Sequence, residues 1–428
     1  MNGGKMTAHT MPIPDDISTI DLTRPRTFEE NDLSAYWRQL RTTRPLHWHP
    51  PAGDAPGFWV VSRYADVMAL YKDNKRLTSE KGNVLVTLLS GGDSAAGKML
   101  AVTDGAMHRN LRNVLLKSFS PHSLKPIVDR VRTNTTRLVV EAVRRGECDF
   151  ATDVAEHIPL NTISDLLGVP TADREFLLSL TKSALSSDEE GQSATDAWLA
   201  RNEILLYFSE LVAERRARPT EDVISVLANS TVDGELLTEE VIVLNCYSLI
   251  LGGDETSRLS MIDSVRTLSR YPDQWQLLRD RKVTLESATE EVLRWATPAM
   301  HFGRRAVTDV ELHGQVIAAG DVVTLWNSSA NRDEEVFADP YVFDLNRSPN
   351  KHITFGYGPH FCIGAYLGRA EVNAMIDALR TYTTGFEITG EPQRIHSNFL
   401  TGLCSLPTRF QPDEAAMAAY ETESGARL

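Results

Sequence analysis

Apolar positions along the chain recur mostly at helical spacing. Between His122 and Arg145, Leu124, Ile127, Val131, Leu138 and Ala142 share one face, and Gly146 follows as a C-cap, which predicts a long amphipathic helix. Further helices are predicted over about Val154 to Leu167, Ala172 to Leu185, Ala194 to Arg216 and Asp222 to Asn229. The longest runs from Thr238 to Tyr271: Thr238 caps it, Glu239 and Glu240 complement the dipole of its first turn, and Pro272 stops it. Fully helical, it spans ~50 Å. Strand-like alternation is confined to Phe58 to Ser62, to short hairpins through Val307, Val310, Leu312, Val316, Ile317, Val322 and Leu325 around Gly314 and Gly320, and to Phe386 to Ile388 and Ser405 to Phe410. The expected class is therefore mainly α with a small β region, a single domain built around a long central helix. Residues 1–24 read as a flexible arm, 25–411 as the domain, 412–428 as a flexible tail, and Gly82 to Gly97 as a loop.

Composition narrows the chemistry. Of 428 residues, 42% are hydrophobic and 24% charged, ordinary for a folded protein. Lys plus Arg is 44 and Asp plus Glu is 58, a formal charge of −14, which disfavours nucleic acid and anionic membrane as partners. The start of the chain has no apolar signal core, and no apolar stretch reaches spanning length, so a cytoplasmic location is expected. Cys148, Cys246, Cys362 and Cys404 are scattered, with no C-x-x-C, C-x-x-C-H or H-E-x-x-H, so zinc ribbons, covalently attached haem and zincin chemistry lose support.

One cysteine has a distinctive setting. Phe355-Gly-Tyr-Gly-Pro-His-Phe-Cys-Ile-Gly364 places Cys362 just before a helix bearing Ala365, Leu367, Ala370 and Ala374. Free amides and partial positive charge at a helix N-terminus favour a thiolate and can donate to a metal-bound sulfur. Gly356 and Gly358 permit a tight loop, and Gly364 permits a flat ligand to approach the first turn. An inert buried cysteine is the plain alternative. A dinucleotide loop is disfavoured, because Phe361 stands where the last glycine of G-x-G-x-x-G is needed.

This stretch resembles the haem-binding signature F-G-x-G-x-H-x-C-x-G of the cytochrome P450 family, matched at Phe355, Gly356, Gly358, His360, Cys362 and Gly364. The resemblance implies a single haem domain in which Cys362 is the axial ligand of a haem b iron and His360 bonds a haem propionate. Other segments resemble the family in the same order. Leu251-Gly-Gly-Asp-Glu-Thr-Ser257, inside the long helix, is similar to A/G-G-x-E/D-T and makes Glu255 and Thr256 an acid–alcohol pair for proton delivery. The adjacent Gly252 and Gly253 fit either a close helix crossing or a local distortion over an active site. Glu291-Val-Leu-Arg294 resembles the structural E-x-x-R pair, but Val342 stands where an Arg or His usually completes that triad, which leaves open how the network closes. His108 and Arg112, spaced i, i+4, and Arg304 resemble the family's propionate-binding cations; Arg305 could exchange roles with Arg304, although strand alternation separates them. By family position, Leu251, Ala299, His301, Phe302, Asn398 and Phe399 line a substrate pocket.

The activity so implied is that of a monooxygenase inserting one oxygen atom from O2 into a lipophilic small molecule, by hydroxylation or epoxidation, as in soluble bacterial members that tailor secondary metabolites. The chain shows no flavin or nicotinamide segment, so electrons are expected from an external ferredoxin and ferredoxin reductase, docking near Arg109, Arg112, Lys117 and Arg369. A peroxide-driven enzyme, a coupling or desaturating enzyme and a haem-based gas sensor are the alternatives.

Overall fold

Capping chemistry sets the ends of the long helices. In the computed structural model, which describes residues 20–53, 55–185 and 194–425, the Ser120 hydroxyl accepts from the amide of Ser123, and the helix Pro121–Arg145 ends at Gly146 with φ +79°. Thr238 likewise accepts from Val241 and opens the central helix Glu239–Arg270, 32 residues long. Between these two lie a π turn, Ala151–Ala155, and the helices His157–Leu167, Arg174–Leu185, Ala194–Ala217 and Val223–Ala228.

The central helix is apolar on more than one side because it runs through the core. Its first half, through Ile242, Cys246 and Ile250, packs with Leu167, Leu177, Phe208 and Leu211. Its second half, through Met261, Ile262 and Val265, packs with Val139, Leu293, Met375 and Leu379. No helix among the described residues is long and apolar enough to cross a membrane.

The strands gather to one side. Leu46–His49, Phe58–Val61, Val322–Trp326, His301–Ala306 and Leu77–Thr78 form a five-stranded sheet in that spatial order, with Val322–Trp326 parallel to Phe58–Val61 and antiparallel to His301–Ala306. Val310–Leu312 and Gln315–Ile317 make the hairpin expected around Gly314. A three-stranded sheet joins Thr383–Ile388, Pro407–Pro412 and Glu147–Asp149.

Three local expectations are corrected. Within the stretch read as a loop, Leu85–Leu89 is helical because Leu85 and Leu88 bury one face. The tail is not loose: Asp413 accepts from Ala416, Glu414–Gly425 is helical, Met417 is buried, and Glu421 pairs with Arg144 at 3.1 Å. The last residues of the arm are docked too, with Leu22 fully buried and its amide bonded to His49; residues 1–19 lie outside those described.

Candidate active site

The cysteine loop is held by backbone geometry. The amide of Cys362 donates to the Phe355 carbonyl at 2.9 Å, and a three-residue turn, Gly358–His360, brings the chain to the helix Ala365–Tyr382. Gly358 has φ +72°, and a Cβ there would lie 2.5 Å from the Tyr71 carbonyl oxygen, so glycine lets the loop sit on the helix Tyr64–Lys72. Cys362 lies deep in the fold yet exposes its side chain, as a residue lining an internal cleft does. Burial raises its thiol pKa, opposed by the Gly364 amide, which donates to the sulfur, and by the charges of Arg112 and Arg369.

Beside the loop, nitrogen donors converge. His108 is buried with its ring 4.3 Å from that of His360, and burial, then the charges of His360 and Arg112, push its pKa down to about 4. His360 Nε2 lies 2.9 Å from Asp104. Burial alone would raise Asp104, but hydrogen bonds from His360, Thr78 and Ser79 hold it down to about 2. Arg112 donates to the Phe361 carbonyl at 2.6 Å. Arg304, 5% exposed, lies over the Tyr71 ring and donates to its neighbour's Gly303 carbonyl, with no carboxylate in reach among the described residues. His108 Nε2 is also buried without a partner. A buried guanidinium outside any ion pair and a buried imidazole nitrogen without a partner suit the two propionates of a haem. No group of three or more His, Cys, Asp and Glu among the described residues could hold a metal ion, so Cys362 would be a lone protein ligand to an iron that a porphyrin otherwise holds. The donor set fits haem.

On the central helix the close-crossing reading holds at Gly253, and no distortion accompanies Gly252. A Cβ on Gly253 would press Ile163 at 3.1 Å, a close helix crossing, whereas Gly252 faces open space, and the helix stays regular through both. Thr256 Oγ1 donates to the Gly252 carbonyl at 3.0 Å. Glu255 is gripped by Arg258, Nη2 to Oε1 at 2.6 Å and Nε to Oε2 at 3.1 Å. Sequence reasoning missed Arg258, although Glu255-Thr-Ser-Arg258 has the same E-x-x-R spacing as Glu291 and Arg294. It also missed two buried acids. Asp254 is raised to about 8 by burial and then by the Glu255 charge, and Glu371 is raised to about 7 by burial, opposed by hydrogen bonds to Ser257 and Thr162.

The Glu291–Arg294 network closes without Val342's side chain, which is exposed. Both members are fully buried and joined at 2.7 and 2.8 Å. Arg294 spends its other donors on the carbonyls of Asn331 and Pro340, and Glu291 accepts from Arg347, Asn350 and the amide of Asp344. Arg347, five positions beyond Val342, also donates to the Val342 carbonyl at 2.7 Å and so takes the third place in the network.

The expected pocket wall separates. Ala299, Phe302 and Phe399 join Leu259 and Leu400 in one apolar cluster, with the rings of Phe302 and Phe399 5.6 Å apart. His301 sits at the edge of that group: alternation along His301–Ala306 turns it away from Phe302 and Arg304, onto Trp326 at 4.4 Å and edge-on to Phe399 at 5.7 Å. Asn398 donates to the Thr23 carbonyl at 2.7 Å, and Leu251 packs with the helical core.

Known proteins resemble this chain in sequence and fold. The family model described as Cytochrome P450 matches residues 262–411. The chain is 48% identical over 396 residues to Cytochrome P450 NovI of Streptomyces niveus, covering 92% of this chain and 97% of that one. It is 33% identical to Linalool 8-monooxygenase of Pseudomonas putida, covering 90% and 97%. Among solved structures, P450 OxyD, involved in the biosynthesis of vancomycin-type antibiotics, superposes with a TM-score of 0.84 at 33% identity, covering 92% of this chain and 100% of that one. With the Cys362 loop, the Gly252–Thr256 segment and the Glu291–Arg294 network in one fold, this chain belongs to the cytochrome P450 family and is an oxidoreductase of its bacterial monooxygenase branch.

Proposed function

We propose that the chain binds haem b through Cys362 and inserts one atom of O2 into a lipophilic small molecule of secondary metabolism. The observation that carries this reading is the conjunction of one amide-supported thiol with a buried His108 Nε2 that has no hydrogen-bond partner and a buried Arg304 in no ion pair among the described residues. When bound, a haem with a thiolate ligand supplies the redox chemistry that cleaves the O–O bond. The chain's own residues do the rest. Cys362 would hold the haem iron, with the Gly364 amide steadying its sulfur; Arg304, His108, His360 and Arg112 would orient the propionates; Phe355 packs between the loop and Arg369, whose guanidinium lies 4.5 Å from its ring centre. Thr256 holds a hydroxyl proton at the open side of Gly252, with Glu255 fixed behind it by Arg258.

The substrate class follows from the apolar cluster of Ala299, Phe302 and Phe399 and from OxyD's place in antibiotic biosynthesis. Hydroxylation is the default outcome. Electrons come from a ferredoxin and its reductase. Arg109 and Lys117 stand exposed on the helix whose Arg112 donates to the Phe361 carbonyl, and Leu116, Phe361 and Tyr366 are exposed as well. Arg369 serves less as a docking charge, because Glu290 already pairs with it at 2.6 Å.

The carbon monoxide difference spectrum of the reduced protein tests the ligand. The red-shifted band of a thiolate-bound haem is expected, and its survival in Cys362→Ser would sink the assignment.

A further inference from the structure

Two adjacent glutamates on the helix Leu285–Ala296 serve different networks. Glu291 closes on Arg294, whereas Glu290 reaches Arg369 on the helix that follows the cysteine. The contact is two-pronged, Arg369 Nε to Oε1 at 2.6 Å and Nη2 to Oε2 at 3.0 Å, the geometry in which a guanidinium and a carboxylate bind most firmly. Oε2 also lies 3.1 Å from Nε2 of His352, whose side chain is 1% exposed. The Thr354 amide donates to Nδ1 of that ring at 3.3 Å, so Nε2 carries the hydrogen and donates to Glu290. Burial alone would raise Glu290, but the hydrogen bonds from His352 and Arg369 hold it down to about 2, so it stays ionised at neutral pH.

Arg369 takes the inner place in this pair. Its guanidinium lies 4.5 Å from the Phe355 ring centre, and Nη1 donates to the Ala365 carbonyl, in the first turn of its own helix, at 3.2 Å. Phe355 in turn accepts from the Cys362 amide through its carbonyl at 2.9 Å. A positive charge is thus fixed against the loop that carries the thiol, where it opposes the effect of burial on that group. Glu290 stands behind it: among the described residues no hydrogen bond joins its carboxylate to residues 355–364. An ion pair kept only for stability needs no buried histidine at its back. His352 holds the carboxylate in one place, so the negative charge lies at a set position relative to the guanidinium.

We infer that Glu290 is a positioning residue for the thiolate: by holding Arg369 it limits the positive charge that the Cys362 sulfur feels, and so sets how readily the bound haem accepts its first electron. The inference rests on the haem-thiolate reading. An electron from the external donor reduces ferric iron to ferrous and adds one negative charge at the site, with no bond or proton moved. A guanidinium fixed nearby favours that added charge, and a carboxylate behind it offsets the guanidinium. Solvent screens both groups, since the Arg369 and Glu290 side chains are 35% and 29% exposed, so the expected shift is modest. Its sign is what the structure fixes. Loss of the carboxylate raises the potential, and loss of the guanidinium lowers it.

The test is a redox titration of the haem in the holoprotein, followed by its visible spectrum with dithionite and mediators. Glu290→Gln should move the one-electron equilibrium about threefold toward the ferrous form, about 28 mV upward at 59 mV per tenfold. Arg369→Gln should move it by a similar factor the other way, and the double variant should fall between the two single ones. Glu290→Asp, which keeps the charge, should stay near wild type. Arg369→Gln carries the sign test by itself where the glutamine variant at 290 folds poorly. Single variants that lose stability in urea but titrate at the wild-type potential, or that shift it in the same direction, overturn the inference and leave the pair a strut. Absence of the thiolate carbon monoxide band in wild type overturns the haem reading itself, and this inference with it; a normal band beside unmoved potentials overturns the inference alone.

Discussion

Arg294 and Arg304 are both buried guanidiniums, ten positions apart, and the fold treats them in opposite ways. Arg294 is saturated by the protein: two carboxylate oxygens and the carbonyls of Asn331 and Pro340 take its donors. Arg304 has a neighbour's carbonyl and the face of a tyrosine. Burying a charge costs several kcal/mol unless something compensates it. A saturated buried cation is thus a structural knot, and an unsaturated one is a site awaiting an anion. The partner inventory, more than depth, separates scaffold from binding site.

The comparison breaks most visibly at the knot. Glu291→Ala leaves Arg294 buried and unpaired, and urea unfolding should show a loss of about 3–5 kcal/mol, with little folded protein recovered. At the other cation the sign reverses. Arg304→Met removes an under-satisfied charge, so the haem-free chain should gain about 1–3 kcal/mol in the same assay, while haem transfer to a competing apoprotein should speed up at least tenfold. Both variants losing stability would erase the distinction.

His301 sharpens it with a neutral group. It is fully buried, both ring nitrogens lack partners, and burial pushes its pKa down to about 3. As pH falls below the ordinary 6.5 the unfolded chain binds this proton first, so the stability is present above 6.5 and is lost toward 3. His301→Phe should therefore spare about 2 kcal/mol of the acid-induced loss between pH 7 and pH 5, read from melts at the two pH values. The smallest effect belongs to Val342. Its side chain is exposed and Arg347 already completes the network, so Val342→Arg should move unfolding by less than about 0.5 kcal/mol.

Much of this was legible in the residues. The central helix declared itself through its threonine cap and proline stop, and Cys362, Glu255, Thr256, Glu291 and Arg294 through motifs whose spacing is local. What escaped was non-local or masked by pattern. Arg347 reaches Glu291 across 56 positions, which no periodicity encodes. His301 and Phe302 are neighbours in sequence, and only the fold shows that His301 stacks on Trp326 while both meet Phe399. Glu371 did leave a trace: it occupies the apolar stripe of Leu367, Ala374 and Ala378, where a carboxylate is out of place. The C-terminal helix was lost because an alanine-rich, polar end reads as unstructured until Tyr382 and Arg144 give it a surface to settle on.

That terminal helix constrains engineering. Tyr420 rests against Tyr382, 5.6 Å between rings, at the opposite end of the 18-residue helix from the thiol, roughly 27 Å along its axis. A reductase fused behind the C-terminus would start from the wrong end of the molecule. Its tether must supply about eight extended residues merely to travel back along that axis, before any slack for docking.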